Sequence, residues 1–195
     1  MVTPGGVSTP ARLAAARRLA AGVPDPELPM VTVADLGILR SITIGNGSLV
    51  VTITPTYSGC PALTEIARDL HGRLTEAGLG PVTVQTALAP AWTTDWITEE
   101  GRRKLAAAGV APPGPAPHGP VPLTLSSGPG TGGPRNEGGP RSTSGPGGSP
   151  APAAVGCPLC GSADTELTAA FSSTACKALR RCLSCGEPFE QVKEL

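Results

Sequence analysis

The sequence predicts an α+β fold: a small domain with a mixed three-stranded sheet and helices over residues 1–113, a Gly/Pro-rich linker over 114–154, and a cysteine-held ribbon over 155–195. Three observations carry this. Two β-rich segments joined by Gly45-Asn46-Gly47-Ser48 read as a hairpin, and a segment of helical period then leads to a third alternating segment. Residues 111–154 contain 23 Gly or Pro among 44. Five of the six cysteines lie in the last 39 residues, four of them as the pairs Cys157-Pro158-Leu159-Cys160 and Cys182-Leu183-Ser184-Cys185.

The elements follow in order. Thr9-Pro10 opens a first helix by capping chemistry, its apolar side running Leu13, Ala16 and Ala20 until Gly22 stops it. Residues 38–44 and 49–54 are the two hairpin strands. Pro61 opens a second helix whose Leu63, Ile66, Ala67, Leu70 and Leu74 repeat at 3.6, and Gly78 and Gly80 end it. Val82, Val84, Thr86 and Leu88 alternate as a third strand, and Thr98 caps a last helix reaching Ala108. A strand, a crossover helix and another strand imply a parallel pair beside the antiparallel hairpin.

A segment as rich in Gly and Pro as 114–154 cannot bury enough surface to offset an ordering cost of roughly 1–2 kcal/mol per residue, so it is expected to be a disordered linker about which the two domains reorient freely. The 41 residues beyond it are too few to fold by core burial alone. Two CxxC pairs separated by 21 residues can bring Cys157, Cys160, Cys182 and Cys185 to the corners of a tetrahedron, the arrangement of a closed structural Zn²⁺ site or of a rubredoxin-like iron. A bound Zn²⁺ supplies roughly 10–16 kcal/mol in small sites of this kind. Short strands are expected at 165–172 and 189–192. Cys176 is a surplus fifth thiol, whose plainer reading is a small buried residue.

Composition limits the function classes. Fifteen basic and fifteen acidic residues cancel, with nine of each sign in residues 1–110 and four against five in 155–195. No region carries the basic stripe of a nucleic-acid binder. Arg17-Arg18 is followed by Val23-Pro24-Asp25-Pro26-Glu27 rather than an apolar run, so neither export nor a membrane partner is expected and the cytoplasm is the expected compartment. There the thiols stay reduced, and paired cysteines read as metal ligands. Aromatics make up only 3% of the chain, which makes Trp92 and Trp96 informative.

Cys60, the sixth cysteine, stands alone where a strand ends and a helix begins, with Gly59 before it. Unpaired N–H groups and the positive helix end favour a thiolate there, which makes it a reactive or metal-binding thiol, against the plainer reading of an inert cysteine. It is a poor hydrolytic nucleophile. His71 lies eleven residues along the same helix, roughly 16 Å away at 1.5 Å per residue, and the other histidine, His118, is in the linker. Asp25 and Glu27, in Asp25-Pro26-Glu27-Leu28-Pro29, reach Cys60 only through the fold and otherwise serve as turn and capping residues.

That Asp-Pro-Glu segment, Asp35-Leu36-Gly37-Ile38, Thr52-Ile53-Thr54-Pro55-Thr56-Tyr57-Ser58-Gly59-Cys60-Pro61-Ala62 and Pro90-Ala91-Trp92-Thr93-Thr94-Asp95-Trp96 together resemble the MIP18-type domain, a family associated with iron–sulfur cluster assembly. Joined to a ribbon containing Phe171-Ser172-Ser173-Thr174-Ala175-Cys176-Lys177-Ala178-Leu179, the chain resembles the D-component family of phenylacetyl-CoA 1,2-epoxidase systems, which serve aerobic bacterial phenylacetate degradation. The likeness covers about residues 20–113 and 155–195. It implies that Cys60 holds or passes a transient iron–sulfur cluster or its iron, with Asp25, Glu27 and Thr56 in the same cleft. It also implies partners among the other epoxidase components, above all the iron–sulfur reductase.

The sequence lacks the Glu-x-x-His pairs of a di-iron oxygenase, a GxGxxG nucleotide loop between a predicted strand and helix, and a plant-type ferredoxin cysteine pattern, so an accessory, non-catalytic role is expected. Two other readings remain open at this point. One is a structural component whose ribbon docks the oxygenase without handling metal; the other is a ribbon protein binding nucleic acid, which the balanced charge disfavours.

Overall fold

A computed structural model describes residues 9–57, 59–116 and 155–193. The linker expected over 114–154 therefore lies, from residue 117 onward, outside the described residues. The elements are α1 (Thr9–Ala21), β1 (Leu39–Gly45), β2 (Ser48–Ile53), α2 (Ala62–Glu76), β3 (Val82–Thr86), a 3₁₀ turn (Thr94–Trp96), α3 (Glu99–Ala107), β4 (Val110–Ala111), β5 (Thr165–Ala169), β6 (Lys177–Cys182) and β7 (Pro188–Val192).

The first sheet has the order β1-β2-β3, the β1/β2 pair antiparallel and the β2/β3 pair parallel, as the hairpin and crossover predict. Gly45 pairs with Ser48 across a two-residue turn in which Asn46 and Gly47 both take positive φ, the geometry that matches strand twist. The 3.6 repeat of α2 turns Ile66, Leu70 and Leu74 into one apolar core with Leu49, Val51 and Ile53 of β2, and Ala16 and Ala20 of α1 join it. Thr98 caps α3 by accepting the N–H of Gly101.

The segment 33–37 is held from outside. Trp92 donates its indole N–H to the Leu36 carbonyl at 2.8 Å, and Arg40 stacks over the Trp96 ring at 3.4 Å. Gly37 has φ +68°, and a Cβ there would lie 2.6 Å from the Trp96 Cβ and carbonyl oxygen, so only glycine fits.

The second sheet, β4-β7-β6-β5, departs from expectation in two ways. The ribbon has three strands rather than two, since β6 fills the gap between the expected ones and β5 ends at Ala169. Charged residues hide β6 in the sequence, yet they find partners: Lys177 pairs with Glu190 at 2.8 Å and Arg180 donates to Gln191 at 3.1 Å. The second departure concerns domain motion. The first segment and the ribbon do not reorient freely but form one compact unit, because Val110 and Ala111 of β4 pair in parallel with Glu190 and Gln191 of β7. Val192 at the end of β7 is buried in the same apolar core as α1, α2 and β2. A ribbon edge left unpaired would expose its N–H and C=O groups, and β4 covers it.

Candidate metal centres

The first centre is in the ribbon. Cys157 and Cys160 lie on one knuckle and Cys182 and Cys185 on the other, and their four sulfurs all fall within 4.8 Å of one another. Cys160 Sγ is 3.5 Å from Cys182 Sγ, and Cys157 Sγ is 3.9 Å from Cys185 Sγ. A tetrahedron with metal–sulfur bonds of about 2.3 Å has edges of about 3.8 Å, so the donor set suits one ion. Each knuckle closes by a turn from its own backbone: Gly161 N–H to Cys157 O at 2.9 Å and Gly186 N–H to Cys182 O at 2.9 Å. The Cys185 amide reaches Cys182 Sγ at 3.5 Å, and this and neighbouring N–H groups pull the Cys182 thiol down to about 6. Among the described residues this is the one group of three or more His, Cys, Asp or Glu with converging donor atoms.

The second centre is a narrow cavity, about 20 Å³ in free volume, in which Asp25, Glu27, Thr56 and Cys60 come together. Leu28, Leu36, Ile38 and Trp92 wall it on the side of the first domain. The residues that the resemblance groups in one cleft thus share one in the structure. Asp25 forms the turn that its plainer reading predicts, Oδ1 accepting the N–H groups of Glu27 at 2.9 Å and Leu28 at 2.8 Å. That turn presents Glu27 to the cavity.

Cys60 is half-buried just before Pro61, the N-cap of α2, and its carbonyl accepts the Leu63 N–H at 3.3 Å. The expected thiolate is not favoured here. Burial pushes the Cys60 thiol up, the charges of Glu27 and Asp25 push it further, and the N–H groups of Ala62 and Leu63 do not compensate. The helix-end effect is present but smaller than desolvation beside two carboxylates. Burial likewise raises Asp25, whose backbone donors offset this only in part.

The ribbon closes the cavity from the other side with Cys176 and Val192. Cys176, the surplus thiol, is buried, and its Sγ lies 3.4 Å from Glu27 Oε2. Burial first, and then the Glu27 carboxylate, push this thiol up to about 11. Its backbone is fixed by Lys193 N–H to Cys176 O at 2.9 Å, a bond that continues the β6/β7 ladder. The sequence signals Cys176 as surplus, but its place opposite Glu27 depends on the docking of β7 against β4, which leaves no local mark.

The amino-acid sequence matches the family model described as PaaD zinc beta ribbon domain over residues 142–193 and the model described as iron-sulfur cluster assembly protein over residues 14–86. It is 38% identical over 172 residues, 88% of this chain and 86% of the relative, to the D component of the Escherichia coli K12 system named "Putative 1,2-phenylacetyl-CoA epoxidase". The chain belongs to this epoxidase D-component family. Its architecture is an α+β domain of iron–sulfur assembly type carrying a zinc ribbon, and the ribbon match ends at Lys193, just past the strand that docks on β4. A Porphyromonas gingivalis protein named Fe-S protein maturation auxiliary factor is 33% identical over 90 residues, 45% of this chain and 85% of that protein. Among solved structures, a DUF59 domain from Bacillus anthracis is similar with TM-score 0.46 and 26% identity, covering 50% of this chain and 93% of that one. A Mycobacterium tuberculosis protein associated with Fe-S complex assembly and repair gives TM-score 0.33 and 30% identity, covering 55% and 96%.

Proposed function

We propose that this chain is a non-catalytic accessory component of a phenylacetyl-CoA 1,2-epoxidase system, acting in the cytoplasm to load or maintain iron or an iron–sulfur centre, with the reductase component as its recipient. The observation that carries this reading is the convergence of Cys60, Asp25, Glu27 and Thr56 on one cavity in a domain whose relatives include an Fe-S maturation factor. Cys60 is the thiol that takes the metal, and Asp25 and Glu27 supply negative charge beside it. In the ribbon, Cys157, Cys160, Cys182 and Cys185 would hold a structural Zn²⁺, whose role is to hold the two knuckles together.

The test is complementation of a strain lacking this chain with Cys60→Ser. Growth on phenylacetate is expected to be lost and the reductase to be recovered with less iron and labile sulfide, while the purified variant keeps its circular dichroism spectrum. Full growth with a normally loaded reductase would leave a purely structural docking role as the better account. That alternative draws on Leu159 and Leu183, which stand 60% and 52% exposed on the two knuckles.

A further inference from the structure

Resting on the reading of Cys60 as the metal-handling thiol, we infer that Cys176 of the ribbon is a second ligand of the same site, so that Cys60, Cys176 and Glu27 together take one thiophilic divalent ion. Three features of the structure support it. The Cys176 thiol donates to Glu27 Oε2 at 3.4 Å, so one thiol–carboxylate pair is already in contact. Cys60 opens onto the same cavity, and among the described residues no Lys, Arg or His lines it. Lys177, the ribbon cation whose charge reaches Asp25, is engaged by Glu190 at 2.8 Å.

Charge and size then select the ligand class. Asp25 is 5% exposed, and its Oδ1 accepts two backbone N–H groups. Two carboxylates and two thiols enclosed without a cation are relieved by a metal ion that displaces the thiol protons to solvent. Thiolate donors select Fe²⁺, Co²⁺ or Zn²⁺ over Mg²⁺ and Ca²⁺, which prefer oxygen alone. The free volume of about 20 Å³ is that of a single water-sized body, which one ion fits. Among the described residues the donor atoms of Cys60, Cys176 and Glu27 do not form a converged group, so a bound ion must draw Cys60 toward the existing Cys176 and Glu27 pair.

Anaerobic titration of the full chain with Co²⁺, its ribbon filled with Zn²⁺, tests this. Wild type is expected to take one Co²⁺ per chain without releasing zinc, with thiolate-to-cobalt absorption of two-sulfur intensity. Cys60→Ala and Cys176→Ala should each leave single-thiolate absorption and weaken binding at least about tenfold. Glu27→Gln, which keeps both sulfurs, should weaken binding while preserving the two-thiolate absorption. Zinc content and circular dichroism report whether each variant is folded. If Cys176→Ala titrates like wild type and Cys60→Ala does not, the ribbon ligand is wrong while the role of Cys60 stands. If wild type takes no second ion, the inference fails, and the growth phenotype of Cys60→Ser then decides separately whether the role of Cys60 fails with it.

Discussion

Val110 and Glu190 are neighbours in a parallel ladder that joins the end of the first domain to the last strand of the ribbon. Through it the metal-held knuckles and the apolar core of the first domain share a boundary, with Val192 buried at 4% exposure. Loss of the ribbon metal therefore destabilises more than the ribbon. Cys182→Ser, or chelation, is expected to unfold the ribbon and also to lower the stability of the first domain by about 2 kcal/mol, the order of one valine returned to water. Hydrogen exchange of the β2 amides, compared with and without chelator, reads this out; unchanged protection would mean that the two parts fold independently.

Lys177, buried, and Glu190, half-buried, form an ion pair in the ribbon, their side chains 7% and 28% exposed. Burial raises the Glu190 carboxyl, but Lys177 and the hydroxyls of Ser172 and Ser173 outweigh it and hold it at about 2. Glu190→Gln leaves Lys177 without its counter-charge and is expected to cost about 3 kcal/mol, whereas replacing both by apolar residues of similar size should cost far less. Because the folded carboxyl titrates lower than the unfolded one, its stabilisation is complete above the ordinary value of 4.5 and disappears as pH falls toward 2. The stability difference between wild type and Glu190→Gln, measured at each pH, should shrink over that window.

What is legible in the sequence is local. Asn46-Gly47 announces the hairpin, the 3.6 repeat from Leu63 to Leu74 announces α2, and the two CxxC pairs announce the ribbon centre. What stays hidden is set by tertiary pairing. A two-residue strand such as β4 has no period to detect, and β6 reads as a charged segment until its partners are known. The protonation of Cys60 is hidden for the same reason. A helix end is visible locally, but the two carboxylates that oppose it arrive through the turn at Asp25.

Glu27 and Cys176 offer a direct test of that electrostatic account. With the thiol raised to about 11, alkylation of Cys176 by iodoacetamide should be slow at pH 8 and rise about tenfold per pH unit through pH 10, because the thiolate is the reacting form. Glu27→Gln removes the carboxylate charge, so the whole profile should move to lower pH. Mass spectrometry of the Cys176 peptide, in protein cleared of metal outside the ribbon, gives the rates. An unmoved profile would show that burial alone raises the thiol.

Gly37→Ala is expected to cost about 3 kcal/mol, combining a left-handed backbone with a Cβ placed 2.6 Å from Trp96. Because Leu36 holds Trp92 and both wall the cavity, the variant should also weaken Co²⁺ binding at Cys60. Thermal unfolding and the cobalt titration measure the two effects. A variant as stable as wild type would mean that the chain relieves this contact at no cost.

The parallel pairing of β4 with β7 also sets an order of events during translation. Ala111 leaves the ribosome about 80 residues ahead of Gln191, its ladder partner. At roughly 5–20 residues per second the nascent first domain waits about 4–16 s with its docking edge open and with Cys60 and Glu27 uncovered. Only the ribbon, docked through β7 on β4, brings Cys176 and Val192 over them. The cavity consequently closes only after β7 has been made, and a protein truncated before β7 would carry Cys60 without its ribbon cover.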